Sequence, residues 1–177
     1  MLARLLELLR RDAYIEGQVE LASGAMSDFY LDCRRVSLLA EGHFLIGSIF
    51  STLITRCLPD VRAVGGMSMG ADPLASATAT ISALGPHPLD AFYVRKEAKV
   101  HGKKRSVESP SLPANTAAVV VEDVVTSGLS ALQAVERARE AGLVPRAVLV
   151  LVDREEGGAQ KIESELPLLA LYHRRDF

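Results

Sequence analysis

The sequence predicts an α/β protein in which a central, mainly parallel β-sheet is flanked by helices. Apolar runs at 63–67, 117–121 and 147–152 are continuous rather than alternating, which is typical of strands that are buried on both faces. Segments with helical spacing of apolar residues lie between these runs, so that strands and helices alternate along the chain. In sheets of this kind, ligands bind beyond the carboxyl ends of the strands.

The composition fits one folded domain over residues 1–177. The hydrophobic fraction is 49% and the formal net charge is −2, which argues against a disordered chain and against a globally basic nucleic-acid binder. A chain of 177 residues is long enough to bury well over half of its unfolded surface in a single core. The two cysteines, Cys33 and Cys57, are too few for a disulfide framework, so we expect both to be packing residues in a reducing, cytoplasmic setting.

The first 36 residues predict a helix followed by two short strands. The i, i+3, i+4, i+7 spacing of an amphipathic helix occurs at Leu2, Leu5, Leu6 and Leu9. We expect no signal peptide, because charges interrupt this run and no small-residue cleavage site follows. Apolar stretches throughout the chain fall short of the ~20 residues that cross a bilayer, so we expect a soluble protein. Residues 17–36 indicate two strands joined by a Ser-Gly turn.

The helices between the strands are marked by periodicity and by signals at their ends. One helix is predicted over 41–57, with its apolar residues facing the core. A second begins with Asp72 as its N-cap and Pro73 at its first helical position, and it ends near Gly85. A third is predicted over 130–141, where a glycine ends it.

Two further strands, at 90–94 and 168–172, complete the predicted sheet. Gly65 and Gly66, at the end of the 63–67 strand, are expected to allow unusual backbone geometry there. Three polar clusters directly follow strands of the sheet: Met67–Asp72, Glu122–Ser130 and Asp153–Gly158. Because the carboxyl ends of parallel strands meet at one edge, we expect these clusters to converge on one crevice.

A basic segment at 95–111 lies between two of the predicted strands and is neither periodic nor apolar. Residues 95–105 hold six of the 20 Lys and Arg residues against one acid, Glu97. A connection of this length and charge predicts a mobile functional loop. On the residues alone, a solvated charged loop is the alternative.

The stretch VVVEDVVTSGLS, at 119–130, predicts a phosphate site at the start of a helix. The backbone N–H groups of Thr126 to Ser130 would lie at a helix N-terminus, where they are unpaired and the helix dipole is positive. Gly128 would let the main chain approach a ligand closely. The Gly-x-x-x-x-Gly-Lys and Gly-x-Gly-x-x-Gly phosphate motifs are absent, so another class of phosphate ligand is indicated.

The adjacent acids Glu122 and Asp123 refine this prediction. Carboxylates that faced a phosphate directly would repel it, so they are better explained as acceptors for sugar hydroxyls or as partners of a hydrated Mg²⁺ ion that the substrate carries. Acids beside a phosphate cradle therefore suggest a phosphorylated sugar. A helix cap next to solvated acids is the alternative reading of the same residues.

This stretch resembles the phosphoribosyl-diphosphate signature of type I phosphoribosyltransferases, and the resemblance implies their fold with a small N-terminal hood over residues 1–36. Glu122 and Asp123 would contact the ribose 2′- and 3′-hydroxyls, with Asp123 also counted as catalytic. The 5′-phosphate would be held by Val124, Val125, Thr126, Ser127, Gly128, Leu129 and Ser130. The Glu-Asp pair is a mild variation on the Asp-Asp of other members.

The stretch LASGAMSDFYLD, at 21–32, resembles the N-terminal signature of the orotate phosphoribosyltransferase family. The resemblance implies that Phe29 and Tyr30 contribute to an aromatic wall for the pyrimidine, with simple core packing as the alternative. Many family members carry Lys or Arg where this chain has Ala22. One cation of the donor site would then be missing or supplied elsewhere.

The basic segment also matches this family, as VRKEAKVHG at 94–102 resembles its mobile catalytic loop. The resemblance assigns the diphosphate of the donor to Arg95, Lys96, Lys99 and His101, of which Lys99 and His101 would be catalytic. Cations that a closing loop delivers would stabilise the charge on departing pyrophosphate and exclude water. Residues 103–105 lie beyond the motif and are interpreted as surface charge.

Two further matches complete the resemblance. In VDREEGG, at 152–158, Arg154 would contact orotate together with Thr126, and an ion pair with Glu155 or Glu156 is the alternative role. An arginine fork suits orotate, because orotate carries a carboxylate that uracil and the purines lack. GGMSMGAD, at 65–72, matches the family's diphosphate loop and would turn the amides of Ser68 to Gly70 toward the leaving group.

The resemblance implies transfer of ribose 5-phosphate from phosphoribosyl diphosphate to orotate, with Mg²⁺ carried mainly by the diphosphate and no metal site of the protein's own. It also implies a homodimer with shared active sites and no nucleic-acid or membrane partner. Two rivals stay open: a phosphoribosyltransferase for another base, and a non-enzymatic regulator that senses the donor and binds RNA or DNA. The other-base enzyme has no reason to carry both of the orotate-specific motifs, and the regulator should present a basic face outside the crevice.

Overall fold

The computed structural model describes residues 1–20, 26–97 and 106–177. Its strands are β1 (Tyr14–Glu20), β2 (Met26–Leu31), β3 (Ala63–Met67), β4 (Asp90–Val94), β5 (Val107–Glu108), β6 (Ala117–Val125), β7 (Val144–Asp153) and β8 (Leu168–His173). Its α-helices are α1 (Leu2–Leu8), α2 (Arg34–Ser37), α3 (Ala40–Cys57), α4 (Ala71–Ser82), α5 (Leu129–Glu140) and α6 (Gly158–Glu163). A π-helical turn, Leu9–Ala13, extends α1, and a 3-10 turn, Arg174–Asp176, follows β8.

A central sheet with the order β5-β4-β3-β6-β7-β8 organises the described chain. Its neighbouring strands are parallel except for the short edge pair of β4 and β5, which is antiparallel. β3 and β6 lie in the middle, and sequential strands on either side are joined through helices, as the βαβ connection requires. The α/β class and the mainly parallel sheet expected from the sequence are confirmed.

The core lies on both faces of this sheet, which explains the continuous apolar runs. On β6, Val119 and Val121 belong to one apolar cluster, with α1, α3 and α4, while Ala118 and Val120 belong to the other, with α5 and α6. Successive side chains of a strand point to opposite faces, so a strand covered on both faces must be apolar at every position.

A two-stranded antiparallel unit of β1 and β2 stands apart from the central sheet at the N-terminal end. The π-helical turn ends at Ala13, whose carbonyl accepts a hydrogen bond from the Asp32 amide at 3.0 Å. The hydroxyl of Tyr172 donates to the Leu2 carbonyl at 2.8 Å, which ties α1 to the last strand. The helix and the two strands expected in the first 36 residues are present, but β1 begins at Tyr14, before the expected start at 17, and residues 34–36 belong to α2 rather than to a strand. The Ser-Gly turn expected between the two strands lies outside the described residues.

The structure changes three local expectations. Helix α4 begins at Ala71 with Gly70 as its N-cap, so the expected cap at Asp72 was wrong; Asp72 lies in the first turn and its carboxylate accepts a hydrogen bond from the Ser68 hydroxyl at 2.9 Å. β6 continues through its two acids to Val125, four residues beyond the predicted end at 121. α6 and the edge strand β5 were not predicted, because both are too short to show periodicity.

Gly65 and Gly66 serve close packing rather than unusual backbone geometry. Both lie within the extended strand β3 without a left-handed φ. A Cβ atom at Gly65 would overlap the Phe92 carbonyl oxygen and ring on β4, and one at Gly66 would overlap the Val121 carbonyl oxygen on β6. The expected conformational role was therefore wrong, and the absence of a side chain is what these positions need.

The two cysteines have different surroundings. Cys33 is buried, as expected of a packing residue, and its thiol lies 4.0 Å from the Asp123 carbonyl oxygen. Burial raises the pKa of the Cys33 thiol well above its ordinary value. Cys57, at the end of α3, is exposed, so the expected packing role was wrong for this residue. Among the described residues, no helix is long and apolar enough to cross a membrane.

Candidate active site

The three polar clusters meet at the carboxyl edge of the sheet, as the sequence predicted. A Cβ atom on Gly70, after β3, would lie 2.5 Å from Oδ1 of Asp123 on β6. A Cβ atom on Gly128, after β6, would lie 2.7 Å from the carbonyl oxygen of Gly158, after β7. The three connections therefore lie close together around one crevice.

The TSGLS stretch forms a tight strand-to-helix turn at this crevice. Gly128 has φ 78° and is the N-cap residue of α5, a left-handed conformation that glycine adopts without the steric cost of a Cβ atom. Of the predicted cradle, Val124 and Val125 close β6, Thr126 and Ser127 form the turn, and Leu129 and Ser130 open α5. The first amides of α5 therefore face the crevice edge, where a helix N-terminus favours an anion.

Glu122 and Asp123 are held in a poorly hydrated place. Glu122 is 6% exposed, and its Oε2 atom is buried without a hydrogen-bond partner among the described residues. Burial raises the pKa of the Glu122 carboxyl well above its ordinary value, and the neighbouring Asp123 carboxylate adds to the rise. Burial also raises the pKa of Asp123, although the Val124 amide, which donates to its Oδ1 at 2.9 Å, opposes the rise.

A cavity of about 470 Å³, hereafter the central cavity, lies in front of these acids. It brings together residues from four separate segments: Tyr30, Leu31, Asp32, Arg34, Met67, Ser68, Met69, Gly70, Lys96, Glu122, Asp123, Val124 and Ser130. Predicted donor-site and base-site residues thus share one space. A second cavity of about 550 Å³ adjoins it, since both are lined by Ser68, Met69 and Lys96.

The two described cations of the basic segment have different surroundings. Lys96 lines the central cavity, which places a positive charge near the acids, and this charge opposes the rise that burial causes in the pKa of the Glu122 carboxyl. Arg95 lines only the adjoining cavity, and its Nε atom pairs with Glu108 of β5 at 2.8 Å. The Arg137 guanidinium donates to the carbonyl oxygens of both Arg95 and Lys96, at 3.2 Å for Lys96, which fixes the start of the segment.

Phe29 and Tyr30 face different surroundings, as neighbouring residues of a strand must. Tyr30 is half-buried and lines the central cavity. Phe29 is 3% exposed and packs against Tyr14 and Phe177, with ring centroids 5.2 and 5.7 Å away. Its ring also receives the Arg154 guanidinium at 5.4 Å, a cation–π distance.

Arg154 is placed by the turn that follows β7. Its amide donates to the Val125 carbonyl at 3.0 Å, which joins this turn to the end of β6. The carboxylate of Asp153 accepts a hydrogen bond from the Glu155 amide at 2.9 Å and supports the left-handed φ of 57° at Glu155. The Arg154 guanidinium pairs with Glu156 at 2.8 Å, so the ion pair weighed in the sequence analysis is present beside any contact with a ligand.

One amide of the predicted diphosphate loop has another partner. The Ser68 N–H donates to the Val94 carbonyl at 2.8 Å, so it extends the pairing of β3 with β4 and is not turned toward a ligand. Met69 and Gly70 line the central cavity. Lys99, His101 and Ala22 lie outside the described residues, and the roles proposed for them stay predictions.

Arg34 and Asp32 line the central cavity, but the sequence analysis gave neither a role. Asp32 is the last residue of the matched N-terminal motif, and Arg34 follows two residues later. Because a second arginine, Arg35, comes next, the sequence alone suggests that both arginines are surface charges. Only the structure distinguishes the two arginines, because Arg34 lines the central cavity and Arg35 does not.

A mainly parallel sheet, a glycine turn from β6 into α5, two acids that precede this turn by two valines and a basic connection after β4 together define a type I phosphoribosyltransferase. None of the protein-family models matches the chain. Comparison with individual known proteins identifies the family within this class. An orotate phosphoribosyltransferase of Sorangium cellulosum is 46% identical over 98% of this chain and 91% of its own length. The chain belongs to the orotate phosphoribosyltransferase family and is a pentosyltransferase.

Solved structures agree with this assignment. The orotate phosphoribosyltransferase of Mycobacterium tuberculosis, in complex with Fe(III) dicitrate, is 38% identical, with a TM-score of 0.86 over 99% of this chain and 97% of its own. The same enzyme in complex with 5-phospho-α-D-ribosyl 1-diphosphate has a TM-score of 0.78 and is 32% identical over 99% and 90% of the two chains. The open choice between an enzyme and a non-enzymatic regulator is settled in favour of an enzyme.

Replacing Glu122 with Gln tests the buried carboxyl. Because folding raises the pKa of Glu122 above its ordinary 4.5, the folded protein binds more protons than the unfolded chain. The associated stabilisation is complete below the unfolded-state pKa and is lost as the pH rises through the folded-state pKa. Above pH 4.5, the free energy of unfolding of Glu122→Gln, measured in urea titrations, should therefore rise relative to that of the wild type as the pH increases. The rise should be at most about 1.4 kcal/mol per pH unit.

Glu140→Gln removes an exposed carboxylate at the end of α5 and is the matched control for the loss of a carboxylate. A difference between Glu122→Gln and wild type that stays constant over the pH range would show that the Glu122 carboxyl takes up no proton on folding.

Proposed function

We propose that the protein catalyses Mg²⁺-dependent transfer of ribose 5-phosphate from phosphoribosyl diphosphate to N1 of orotate, giving orotidine 5′-monophosphate and pyrophosphate, in the synthesis of pyrimidine nucleotides. The observation that carries the proposal is the end of β6, where the buried Glu122 and the partly buried Asp123 are separated by two valines from the turn into α5. The complex of the M. tuberculosis relative with the same donor supports it.

The donor would lie across the crevice with its two ends recognised differently. The 5′-phosphate would accept hydrogen bonds from the amides and hydroxyls of Thr126 to Ser130, at the positive end of α5. The ribose hydroxyls would donate to Glu122 and Asp123. This division of labour explains why carboxylates lie beside an anion site, since each acid binds an alcohol rather than the phosphate.

The diphosphate end carries the charge that develops during reaction. As the C1–O bond breaks, pyrophosphate gains negative charge, the ribose gains oxocarbenium character, and the deprotonated N1 of orotate forms the new bond to C1. Lys96 lines the cavity on this side, and Arg95, Lys99 and His101 are proposed to join it from the basic segment.

The Mg²⁺ ion is proposed to arrive with the diphosphate, whose charge it neutralises when bound. The chemistry of the site fits this ion, because the Oε2 atom of Glu122 is a buried oxygen without a described partner and Mg²⁺ prefers oxygen ligands. The described residues contain no group of three or more His, Cys, Asp or Glu side chains able to hold a metal by themselves. Glu122 and Asp123 would therefore act on the ion through the ribose hydroxyls and water.

The base would lie between Tyr30, which lines the central cavity, and Arg154, at the rim of β7. Arg154 and Thr126 are proposed to bind orotate, the guanidinium through the carboxylate that distinguishes this base. The contact with Phe29 and the ion pair with Glu156 hold the guanidinium in place.

An absorbance assay tests the proposed reaction. Mixing the protein with orotate, donor and Mg²⁺ should change the orotate absorbance and release pyrophosphate, and omission of Mg²⁺ should abolish both signals. Parallel mixtures that contain uracil, adenine or hypoxanthine in place of orotate test whether the protein uses another base. A reaction with one of these bases and none with orotate would overturn the assignment of substrate.

Replacing Lys99 or His101 with Ala should lower kcat by at least a factor of ten, because each variant removes a cation from the departing pyrophosphate. Thermal unfolding of each variant checks that the fold is retained. Lys103→Ala removes a neighbouring charge beyond the family motif and should leave kcat near the wild-type value. Wild-type turnover in both loop variants would refute the loop assignment.

Replacing Arg154 with Ala should raise the KM for orotate about tenfold or more while the KM for the donor changes little, because a charge-assisted fork is lost on the base side only. The matched control is Arg146→Ala, which removes an arginine of β7 whose exposed side chain pairs with Asp60. A normal KM for orotate in Arg154→Ala would remove this contact from the site.

A homodimer in which the basic segment of one subunit completes the crevice of the other is also proposed. Leu38, Leu39 and Phe44 are 70%, 41% and 53% exposed, and Leu38 and Phe44 line an apolar hollow of about 520 Å³ with residues of α4. Contiguous exposed apolar surface of this kind marks an interaction site.

Equilibrium sedimentation of an active sample should give the mass of a dimer, and Phe44→Glu should shift it toward the monomer. Leu84→Glu, at a residue that is 85% exposed and outside the hollow, should not. An active sample that contains only monomers would contradict the shared site.

Residues 1–177 are proposed to be one domain that acts in the cytoplasm without nucleic-acid or membrane partners.

A further inference from the structure

Arg34 places a guanidinium in the space proposed for the donor. It is the first residue of α2 and lines the central cavity together with Lys96, Glu122 and Asp123. Burial raises the pKa of Asp123, and the charge of Arg34 is among the groups that oppose this rise. The arginine and the acid therefore share one cavity although they are far apart in sequence.

Asp32 holds this guanidinium in a defined orientation. Its two carboxylate oxygens accept hydrogen bonds from Nε and Nη2 of Arg34 at 2.8 and 3.2 Å. The Arg34 amide lies 3.3 Å from the same carboxylate, which ties the ion pair to the start of α2. The Nη1 atom takes no part in this fork, so the arginine has donors left for another acceptor.

The charges that line the central cavity leave a phosphorylated donor short of cations. Among the described lining residues the carboxylates are Asp32, Glu122 and Asp123, and the cations are Arg34 and Lys96. The diphosphate of the donor adds several negative charges to this balance. Arg34 is one of the two described cations available on this side of the acids.

We propose that Arg34 binds the diphosphate of the sugar donor. The proposal rests on the donor site assigned under the proposed function. Asp32 acts as the positioning residue, since it orients the guanidinium while the outer nitrogen binds a phosphate oxygen.

A purely structural role for Arg34 predicts different behaviour. Its side chain is 51% exposed, and exposed ion pairs contribute little to stability, so removal of the arginine should leave the fold intact. Arg35 is the matched control, because it is an exposed arginine in the same helix that does not line the cavity.

The test measures binding of pyrophosphate and of phosphoribosyl diphosphate, each with Mg²⁺, by calorimetry on wild type, Arg34→Ala, Arg34→Lys and Arg35→Ala. We expect Arg34→Ala to weaken both ligands at least tenfold, Arg34→Lys to restore part of the loss, and Arg35→Ala to bind like wild type. In steady-state assays, Arg34→Ala should raise the KM for the donor and leave the KM for orotate within twofold. Thermal unfolding of each variant checks that the fold is retained.

Wild-type affinity for pyrophosphate in Arg34→Ala, an equal loss in Arg35→Ala, or failure of the wild-type protein to bind pyrophosphate would each overturn the proposal. Conversion of orotate by the wild-type protein is measured separately. Arginine-dependent binding of pyrophosphate without conversion of orotate would refute the proposed function and leave the assignment of Arg34 standing.

Discussion

The candidate site depends on two carboxylates held near the end of a strand whose apolar residues are covered on both faces. β6 lies between β3 and β7, and its valines are packed on both faces, so Glu122 and Asp123 emerge where water is scarce. Burial disfavours their charged forms, and the pKa values of both carboxyl groups rise. Such acids gain most from a ligand that brings hydroxyl donors and positive charge, and a sugar diphosphate with its cation brings both.

Close approach of the backbone makes this arrangement possible. Gly66 lets β3 lie against β6, Gly70 leaves space for the Asp123 carboxylate, and Gly128 packs against Gly158 across the crevice. Each contact draws the carboxyl end of one strand toward its neighbour. The proposed phosphate site lies at this crevice, at the start of α5, where backbone amides would bind the anion.

The cations of the site lie on connections rather than on the sheet, and a local acid holds several of them. Arg34 pairs with Asp32, Arg95 with Glu108, and Arg154 with Glu156. These pairs lie at the rim, where they add little to stability but limit the orientations of flexible side chains. Most stability therefore comes from the apolar layers, and the charged rim is left to bind substrate.

Local sequence was informative where the residue pattern has one structural meaning. Continuous apolar runs gave the central strands, with β3 and β4 at the predicted bounds, because only strands covered on both faces exclude polar residues in this way. The turn after β6 and its acids were also visible, because a helix start and its preceding strand are set by neighbours in sequence. Short elements such as β5 and α6 were missed, since they owe their form to pairing and packing with distant segments.

The sequence by itself thus determined the alternation of the main strands and helices and the family to which its motifs point, while the residues of the phosphate cradle stay a prediction. Tertiary structure decided which charged side chains share a cavity. It separated Arg34 from Arg35 and Tyr30 from Phe29, and it turned the Ser68 amide to Val94. The physical reason is that electrostatic and packing energies depend on distance and burial in space, which neighbours in sequence do not fix.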